Sequence, residues 1–480
     1  MTLARFADIV LVDLEWGVLV YFLIVNGFYA LLLTAASREM LRHVRSVRGE
    51  LRARLLGSSA VPRISILAPA FNEEATIEDS VRSLLALYYP NLEIVVVNDG
   101  SRDGTIEVLT ARFELIAMPS VLEPRVATKA VRRLYRSRTH PNLVVADKEN
   151  GGKADALNVA LNLASGDLVC AIDADTLIEP DALQRMVRPF LASDTVVAAG
   201  GTIRVANGSV IRRGRIVEMN APRHALAGFQ VIEYLRAFLF GRLGWNRMGG
   251  NLIISGAFGL FIREAVLDIG GYAHDTVGED MELVIRLRRR GYETNGPSDV
   301  DFVPDPVAWT EVPESLRVLG RQRDRWHRGL CDVLWRHRTV LFNRRYGSMG
   351  WVSFPYFVFV ELLAPIVEAV GLIGGALGLA LGIVNVPFAI LYFLVAYGFG
   401  MILSLLTLLL EELSFQRYVG LRDRLFLITW VLLENIGYRQ LTVAWRLRGI
   451  WKYLRGRTDW GAMERRGLNR AAAAPPGAGG

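Results

Sequence analysis

Two carboxylates one residue apart, Asp173 and Asp175, directly follow the apolar run 168 to 172. Five apolar residues bounded by polar ones predict a buried parallel strand. Both aspartates would then lie at the carboxyl end of that strand, which is the edge where open α/β sheets bind ligands. Carboxylates are hard oxygen ligands, and Mg²⁺ or Mn²⁺ usually combines them with substrate phosphates. A solvated acidic turn is the ordinary alternative, so the pair needs support from other motifs.

Polar residues also end two earlier predicted strands. Asn72 and Glu73 follow the first of these strands, and Asp99 follows the second. The segment between them has helical periodicity, and the order strand, helix, strand predicts a right-handed parallel crossover. Each polar residue alone is typical of a turn or a helix cap. Because parallel strands end at one edge, we expect these side chains to share the rim that carries Asp173.

A lysine opens another predicted helix. Lys153 is one of only four lysines in a chain with 55 basic residues, and Gly151 and Gly152 precede it. Backbone amides, a helix N-terminus and a lysine in one place predict an anion site. Residues 106 to 146, before this motif, are basic and weakly periodic, and they indicate a crossover with a surface excursion of unassigned role.

Two later helices carry further candidates. Asp280 opens a periodic helix, where a carboxylate is either an N-terminal cap or a general base at the mouth of a site. Gln322, Arg325 and Trp326 share one helical face by their spacing. Arg325 could pair with a phosphate through two hydrogen bonds, and Trp326 could stack on an apolar ring face. An ordinary amphipathic helix is the alternative.

The composition and three apolar stretches predict a membrane protein. Hydrophobic residues make up 52% of the 480 residues, which is high for a soluble chain of this length. Residues 16 to 36 and 386 to 410 contain no charge, and residues 362 to 384 contain only Glu368. Each stretch is long enough to cross a bilayer, and the first is better interpreted as an uncleaved anchor than as a signal peptide.

The charges around the first span predict its orientation. Acidic residues precede it and six arginines follow it, from Arg38 to Arg54. The positive-inside rule therefore places the N-terminus outside the plasma (inner) membrane and the following domain in the cytosol. Cys170 and Cys331 are predicted to be buried thiols, which suits that compartment. The charge of +7 is spread over clusters of arginine, and we predict no nucleic-acid partner.

The C-terminal part is harder to assign. Residues 346 to 361 are aromatic and are predicted to lie at the interface. Glu434 and Arg439 interrupt residues 425 to 445, so an interfacial or re-entrant segment is favoured there, because a single crossing would place the basic tail outside. Residues 471 to 480 are of low complexity and are predicted to be disordered.

The motifs together resemble the membrane-embedded, inverting family 2 glycosyltransferases, which include cellulose, chitin, hyaluronan and poly-N-acetylglucosamine synthases. The similarity covers roughly residues 63 to 330. Six short motifs carry it in order: Phe71-Asn72-Glu73-Glu74, Asn98-Asp99-Gly100-Ser101, Gly152-Lys153, Asp173-Ala174-Asp175, Gly278-Glu279-Asp280 and Gln322-x-x-Arg325-Trp326.

The resemblance implies an α/β catalytic domain of GT-A type in the cytosol, a donor that is usually a UDP-sugar, and Mg²⁺ or Mn²⁺. It assigns the roles residue by residue. Asn72, Glu73 and Asp99 would contact the uridine, Lys153 and Arg325 would face the donor phosphates, and Gln322 would bind the substrate or nucleotide. Asp173 would touch the nucleotide and share the metal with Asp175, and Asp280 would be the base. The acceptor site would be lined by Ser255, Gly256, Ala257, Phe258 and Trp326.

Two departures from the family pattern leave the polymer open. Gly278 stands where many synthases have Thr, and Asp324 interrupts the basic Gln-x-x-Arg-Trp stretch. No segment resembles the cyclic-dinucleotide-binding domain of bacterial cellulose synthase. The sugar, the linkage, the chain length, the oligomeric state and any protein partner are not specified by the sequence.

Three functions remain to be compared. The first is a processive synthase that elongates a polysaccharide and couples synthesis to export, for which Glu361 and Glu368 are candidate channel residues. The second adds a single sugar to a membrane lipid; such enzymes generally lack the Gln-x-x-Arg-Trp helix. The third is a transporter or scaffold without catalysis, which the presence of both Asp-x-Asp carboxylates and Asp280 disfavours.

The expected domains follow from these assignments. They are an N-terminal membrane helix with a basic linker over 1–60, the GT-A domain over 61–345, interfacial and transmembrane helices over 346–446, and a basic cytosolic tail with a disordered end over 447–480.

Overall fold

A computed structural model describes residues 3–47, 61–119, 123–173, 176–212, 215–382, 386–415 and 420–457. The chain divides into two compact units. The helical unit comprises Met1–Arg45, Arg223–Leu252 and Pro313–Gly461. The sheet unit comprises Ser46–Pro222, Ile253–Val312 and Ala462–Gly480. Segments from the middle of the chain therefore belong to the helical unit, within the range predicted as one GT-A domain.

The sheet unit contains a mixed sheet. Its strands, with those of a small antiparallel ribbon (β9 and β10), are β1 Ile64–Ala70, β2 Leu92–Asp99, β3 Leu115–Met118, β4 Val131–Ser137, β5 Leu143–Lys148, β6 Leu168–Ile172, β7 Leu177–Ile178, β8 Val196–Val205, β9 Val210–Arg212, β10 Arg215–Glu218, β11 Phe258–Ile262 and β12 Asp299–Thr310. In the described part of the chain the main sheet has the order β3-β4-β5-β2-β1-β6-β11-β8-β12-β7.

The centre of this sheet confirms the predicted parallel crossovers. β5, β2, β1 and β6 are parallel neighbours. Ala70 pairs with Asn98, and Asp99 pairs with Lys148, so these strands end at one edge. β11 runs antiparallel between β6 and β8, which brings residues 255–257, just before it, to the edge where Asp173 leaves β6.

The helices of the sheet unit cover the sheet and support its rim. They are Ile77–Leu85, Thr105–Arg112, Lys153–Leu163, Ala182–Met186, Arg188–Ala192, Arg263–Asp268 and Glu279–Thr294. The helix that Lys153 begins is buried from Asp155 to Leu161 and packs with Val95, Val97 and Val169 of the sheet. Such a helix can hold its first residue in a fixed place, because its apolar side chains are removed from water on all faces.

Residues 106 to 146 differ from the predicted surface excursion. They contain a helix and the strands β3, β4 and β5, and β3 and β4 extend the sheet at one edge. The exposed side chains of Arg132, Arg133 and Arg136 lie on β4. β4 lies beside the edge strand β3 and has exposed side chains along its length, so its sequence does not show the apolar run that marks the central strands.

The helical unit consists of helical segments throughout its described residues. These are Leu3–Val47, Ala225–Tyr234, the π-helix Leu235–Arg242, Leu243–Asn246, Leu316–Arg336, the 3₁₀ turns Arg338–Val340 and Arg344–Tyr346, Met349–Ser353, Phe354–Tyr356, Phe357–Leu362, Ala364–Leu381, Val386–Phe393, Leu394–Gly398, Phe399–Phe415, Leu421–Leu433 and Tyr438–Leu454.

Three helices of the described chain are long and apolar enough to cross a membrane. They are Asp13–Val44, Met349–Leu381 and Val386–Phe415, and they confirm the three predicted apolar helices. The second begins at Met349, so most of the aromatic segment predicted to lie at the interface is continuous with it. The helices Leu421–Leu433 and Tyr438–Leu454 are separated by a break around Gly437, which has a φ of +80°. A re-entrant or interfacial placement of residues 425–445 stays a prediction.

Arg439 of the helix Tyr438–Leu454 contacts the second and third of these apolar helices, and its partner Glu368 is buried. Arg439 Nε lies 2.7 Å from Glu368 Oε1, and Arg439 Nη1 donates to the carbonyl of Ala396 at 2.9 Å. The guanidinium also lies 4.7 Å from the centroid of the Tyr397 ring. Asn26 of the first helix donates to the carbonyl of Val395 at 2.7 Å. Polar contacts of this kind fix helix register where apolar packing alone is tolerant.

Arg439→Met is expected to destabilise the protein by about 3–5 kcal/mol, because it leaves the Glu368 carboxylate buried without its counter-ion. The free energy of unfolding in detergent measures this change. The double variant E368Q/R439M should recover most of the loss, since it removes both charges. Equal stability of R439M and the unsubstituted chain would show that the pair does not stabilise the fold.

Candidate active site

Four charged side chains meet at the carboxyl edge of β6. Lys153 Nζ lies 2.5 Å from Asp173 Oδ1 and 3.6 Å from Glu279 Oε1. The backbone amide of Gly256 donates to Asp280 Oδ2 at 3.3 Å. The structure therefore brings together Lys153, Asp173 and Asp280, which the sequence had singled out in three separate motifs. Asp175, the other predicted metal ligand, lies outside the described residues.

The charges of this cluster depend on one another. Burial by itself would lower the pKa of the Lys153 amine, but the Asp173 and Glu279 carboxylates beside it raise that pKa overall. Burial also raises the pKa of the Glu279 carboxyl, and Asp280 adds to this effect while Lys153 opposes it. The lysine therefore stays a cation, and it balances a set of carboxylates that would otherwise repel each other.

Gly256 keeps the space beside the candidate base open. A Cβ atom at this position would lie 3.2 Å from Lys153 Nζ and 3.7 Å from Asp280 Oδ2. Of its neighbours, Ala257 and Phe258 are buried, and Ser255 Oγ accepts from the Ala257 amide at 3.4 Å. Among the four predicted acceptor residues in this segment, Ser255 and Gly256 are thus the ones with exposed surface.

Asp280 itself has the geometry of a helix-start residue as well as that of a candidate base. It lies in the first turn of Glu279–Thr294, where a carboxylate is favoured by the helix dipole. Its Oδ1 accepts from the Met281 amide at 2.8 Å. The cap and the base interpretations remain compatible, because the cap contact uses Oδ1 and the contact of Oδ2 with the Gly256 amide is long, at 3.3 Å.

The turn at Asn72 is joined to the turn after β2 by reciprocal hydrogen bonds. The Asn72 amide donates to Ser101 Oγ at 2.9 Å, and the Arg102 amide donates to Asn72 Oδ1 at 2.9 Å. The Glu73 amide donates to Thr105 Oγ1 at 2.9 Å. Asn72 has a φ of +55°, a left-handed conformation that Asn tolerates better than most residues. Two predicted nucleotide-binding residues are thereby fixed on one rigid double turn.

Asp99 is enclosed by donors from the loop before Lys153. Its carboxylate accepts from the amides of Gly151 at 2.9 Å and Gly152 at 2.8 Å, and from Asn150 Nδ2 at 3.3 Å. The side chain is buried. The backbone amides of Gly151 and Gly152 were predicted to form part of an anion site. In this structure they donate to the carboxylate of the chain's own Asp99.

Sequence reasoning missed Lys148 and Asp155. Lys148 Nζ lies 2.6 Å from Asp99 Oδ1 and 2.8 Å from Asp155 Oδ1, and it is fully buried. One signal was available in the sequence, because Lys148 is one of only four lysines. The pairing of β5 with β2, which brings Lys148 beside Asp99, was not available.

Gln322, Arg325 and Trp326 belong to the helix Leu316–Arg336 of the helical unit. Trp326 is exposed, and the guanidinium of Arg323 lies 4.5 Å from its ring centroid. Arg323 is itself paired with Glu233, which also accepts from the Tyr438 hydroxyl at 2.9 Å. The Arg323 guanidinium, which is held by its ion pair with Glu233, therefore packs against the Trp326 ring and restricts the orientation of the indole.

Asp324, the acidic departure in this motif, is buried and has a local role. Its Oδ2 lies 3.1 Å from Arg448 Nε and 2.5 Å from Lys452 Nζ. A Cβ at Gly449 would lie 2.7 Å from the Asp324 carbonyl oxygen, so the two helices approach closely here. The acidic residue therefore joins the helix Leu316–Arg336 to the helix Tyr438–Leu454.

The donor chemistry at the end of β6 suits a hard divalent cation. Asp173 offers a partly exposed carboxylate there, and oxygen ligands of this type are those that Mg²⁺ and Mn²⁺ prefer. Within the described ranges no three His, Cys, Asp or Glu side chains form a metal-binding group.

Comparison with known proteins gives two matches to family models. A model described as "Glycosyl transferase family group 2" matches residues 168–410, which is more than half of the chain. A model described as "Glycosyl transferase family 2" matches residues 65–270.

Two curated relatives are similar over more than half of the chain. The chain is 32% identical over 274 residues to the poly-beta-1,6-N-acetyl-D-glucosamine synthase of Staphylococcus aureus (strain COL), covering 57% of this chain and 56% of the relative. It is 31% identical over 277 residues to the synthase of that name from Staphylococcus epidermidis, covering 58% and 56%. The chain thus spans little more than half the length of these relatives.

A solved structure shares the fold. It is the mannosyltransferase PcManGT from Pyrobaculum calidifontis in complex with GDP-Man and Mn²⁺, which aligns with a TM-score of 0.51 at 20% identity over 90% of this chain and 99% of its own. This likeness and the family models confirm the predicted α/β architecture of GT-A type.

Proposed function

Because the chain belongs to the family 2 glycosyltransferases, we propose that it elongates a polysaccharide in the cytosol from a UDP-sugar and couples this synthesis to export. The observation that carries the proposal is the convergence of Lys153, Asp173 and Asp280 at one sheet edge. A cation for phosphates, a carboxylate for the nucleotide or metal, and a carboxylate for the acceptor are what a transfer from a nucleoside diphosphate requires.

The curated relatives support N-acetylglucosamine as the first sugar to test. Both are poly-beta-1,6-N-acetyl-D-glucosamine synthases. The three apolar helices support a product that leaves through or along the membrane. We propose the plasma membrane as the location, with the N-terminus outside and residues 61–345 in the cytosol.

The reaction would proceed by direct displacement. Asp280 takes the proton of an acceptor hydroxyl, the oxygen attacks the anomeric carbon, and the bond to the UDP oxygen breaks with inversion at that carbon. Lys153 would stabilise the negative charge that develops on the departing diphosphate. Arg325 would be a second cation for the donor phosphates.

Asp173 and Asp175 would hold the divalent ion that the family implies. When bound, Mg²⁺ or Mn²⁺ neutralises charge on the diphosphate. Asn72, Glu73 and Asp99 would form the uridine side of the pocket, with Asp99 acting through the loop that it holds.

A donor screen tests this proposal. Purified protein in detergent would be incubated with individual UDP-sugars and Mg²⁺ or Mn²⁺, UDP release would be followed, and the product would be sized. We expect UDP-N-acetylglucosamine to give the fastest release and a polymeric product. Release of UDP with only singly glycosylated lipid would refute the polymerase and support the transfer of one sugar to a lipid acceptor.

Trp326→Ala is expected to shorten the polymer without weakening UDP binding. An exposed indole offers a flat apolar face to a pyranose ring, and a processive enzyme must keep its growing end docked between additions. The measurement is the product-length distribution at matched UDP release. Trp335→Ala is a matched control, because Trp335 is an exposed tryptophan of the same helix outside the motif. An unchanged distribution in W326A would remove Trp326 from the acceptor site.

A further inference from the structure

Lys148 is a fully buried lysine that no catalytic role accounts for. Its ammonium contacts Asp99 Oδ1 at 2.6 Å and Asp155 Oδ1 at 2.8 Å, and it also donates to the carbonyl of Glu149. All three acceptors are protein atoms, so its charge is satisfied internally. A lysine is almost never fully buried unless it is paired in this way.

One end of this network holds the turn before Lys153. Asp99 accepts from the amides of Gly151 and Gly152, and Gly152 has a φ of +87°. Two glycines in succession place few limits on the backbone. Asp99 therefore supplies the restraint that the glycines lack, and Lys148 supplies the charge that keeps Asp99 in place.

The other end holds the helix that Lys153 begins. Asp155 lies two residues after Lys153, in the first turn of that helix. It accepts from the Lys129 amide at 3.1 Å as well as from Lys148. Lys148 thus contacts one group that fixes the turn before Lys153 and one group that fixes the helix after it.

We propose that Lys148 is a positioning residue that directs the Lys153 ammonium toward Asp173. It would act on the donor diphosphate only through Lys153, so its effect on catalysis rests on the proposed function. The alternative is a buried ion pair that stabilises the sheet and has no influence on the site.

Glu93 provides a matched control for that alternative. It is a buried carboxylate of the same unit, near the amino end of β2, and it accepts from Ser165 N and Ser165 Oγ at 2.8 Å each. It lies at the opposite end of the strand from Asp99. Glu93→Gln should therefore perturb a buried network of the sheet while leaving the turn before Lys153 intact.

Lysine labelling of the full-length protein tests the proposal without requiring activity. The chain has four lysines, and an amine-reactive acylating reagent followed by peptide mass spectrometry gives a rate for each. Lys148→Met preserves an unbranched side chain but removes the charge. We expect Lys153 to be labelled on the order of 10-fold faster in K148M, because a side chain that is no longer held 2.5 Å from Asp173 Oδ1 is more accessible to the reagent. Lys452, paired with Asp324 in the helical unit, is the internal standard.

The second measurement is UDP affinity and donor turnover at a temperature where thermal unfolding shows every variant folded. K148M should lose on the order of 10-fold in UDP affinity and also lose turnover, whereas E93Q at an equal loss of thermal stability should keep both. K148R, which keeps the charge, should fall between K148M and the unsubstituted chain, and it replaces K148M if that variant does not fold.

Two results would overturn the proposal. One is a Lys153 labelling rate within about twofold of the unsubstituted chain in both K148M and K148R. The other is an equal gain in labelling in E93Q. If the unsubstituted chain transfers sugar from no UDP donor, the proposed function fails, while the labelling rates still decide the role of Lys148.

Discussion

Asp280→Asn is expected to reduce sugar transfer on the order of 10²-fold or more while leaving UDP affinity largely unchanged. A positioned base contributes this much to a proton transfer, and Asn cannot accept the proton. The side-chain amide retains one oxygen, so it can still accept from either the Met281 amide or the Gly256 amide that contact the carboxylate now. The local structure should therefore survive the change.

Two measurements separate a base from a helix cap. If Asp280 acts on the acceptor, D280N should lose sugar transfer, measured as product formation, and should keep its UDP affinity, measured by titration. Glu264→Gln is the control, because Glu264 is an exposed acid in the first turn of another helix. A parallel collapse of UDP binding and thermal stability in D280N would instead show that the residue is structural.

Asp175→Asn is expected to abolish most turnover at ordinary metal concentrations. A neutral amide is a weaker ligand of a hard cation than a carboxylate. Part of the activity should return as Mn²⁺ is raised, since the affinity is reduced and the remaining Asp173 ligand is intact. The measurement is turnover as a function of Mn²⁺ concentration.

Asp181→Asn is the control for this change. It is the same substitution a few residues further along, at an aspartate whose Oδ2 lies 2.6 Å from Arg185 Nη2. Its metal dependence should match that of the unsubstituted chain. Full activity of D175N at low Mn²⁺ would exclude Asp175 from the metal site.

The central sheet could be predicted from the sequence because its strands are buried on both faces. β2 and β6 are runs of apolar residues with polar residues at their ends, and this pattern gives both the strand and the edge where ligands bind. β4 lies beside the edge strand β3 and carries exposed arginines, and its sequence is typical of a surface loop. The hairpin of β3 and β4 was missed for this reason.

The site was predictable as a set of residues but not as a set of contacts. Lys153 and Asp173 lie 20 residues apart in sequence, and only the crossover from β5 to β6 brings them within 2.5 Å. Lys148 and Asp155 were missed because a buried lysine has the same sequence signature as an exposed one. Their role depends on the pairing of β2 with β5, a long-range contact that local patterns do not contain.

The enclosure of Asp99 by the loop 150–152 also bears on how a donor can bind. Ordering the backbone of a free residue costs roughly 1–2 kcal/mol in conformational entropy, and a Gly-Gly turn that closed on its ligand would incur that loss at each encounter. Here Asp99, with Lys148 behind it, occupies the amides of Gly151 and Gly152 before any ligand arrives. This conformational entropy is lost when the chain folds. Donor binding on this side of the pocket therefore does not include the free-energy cost of ordering the loop.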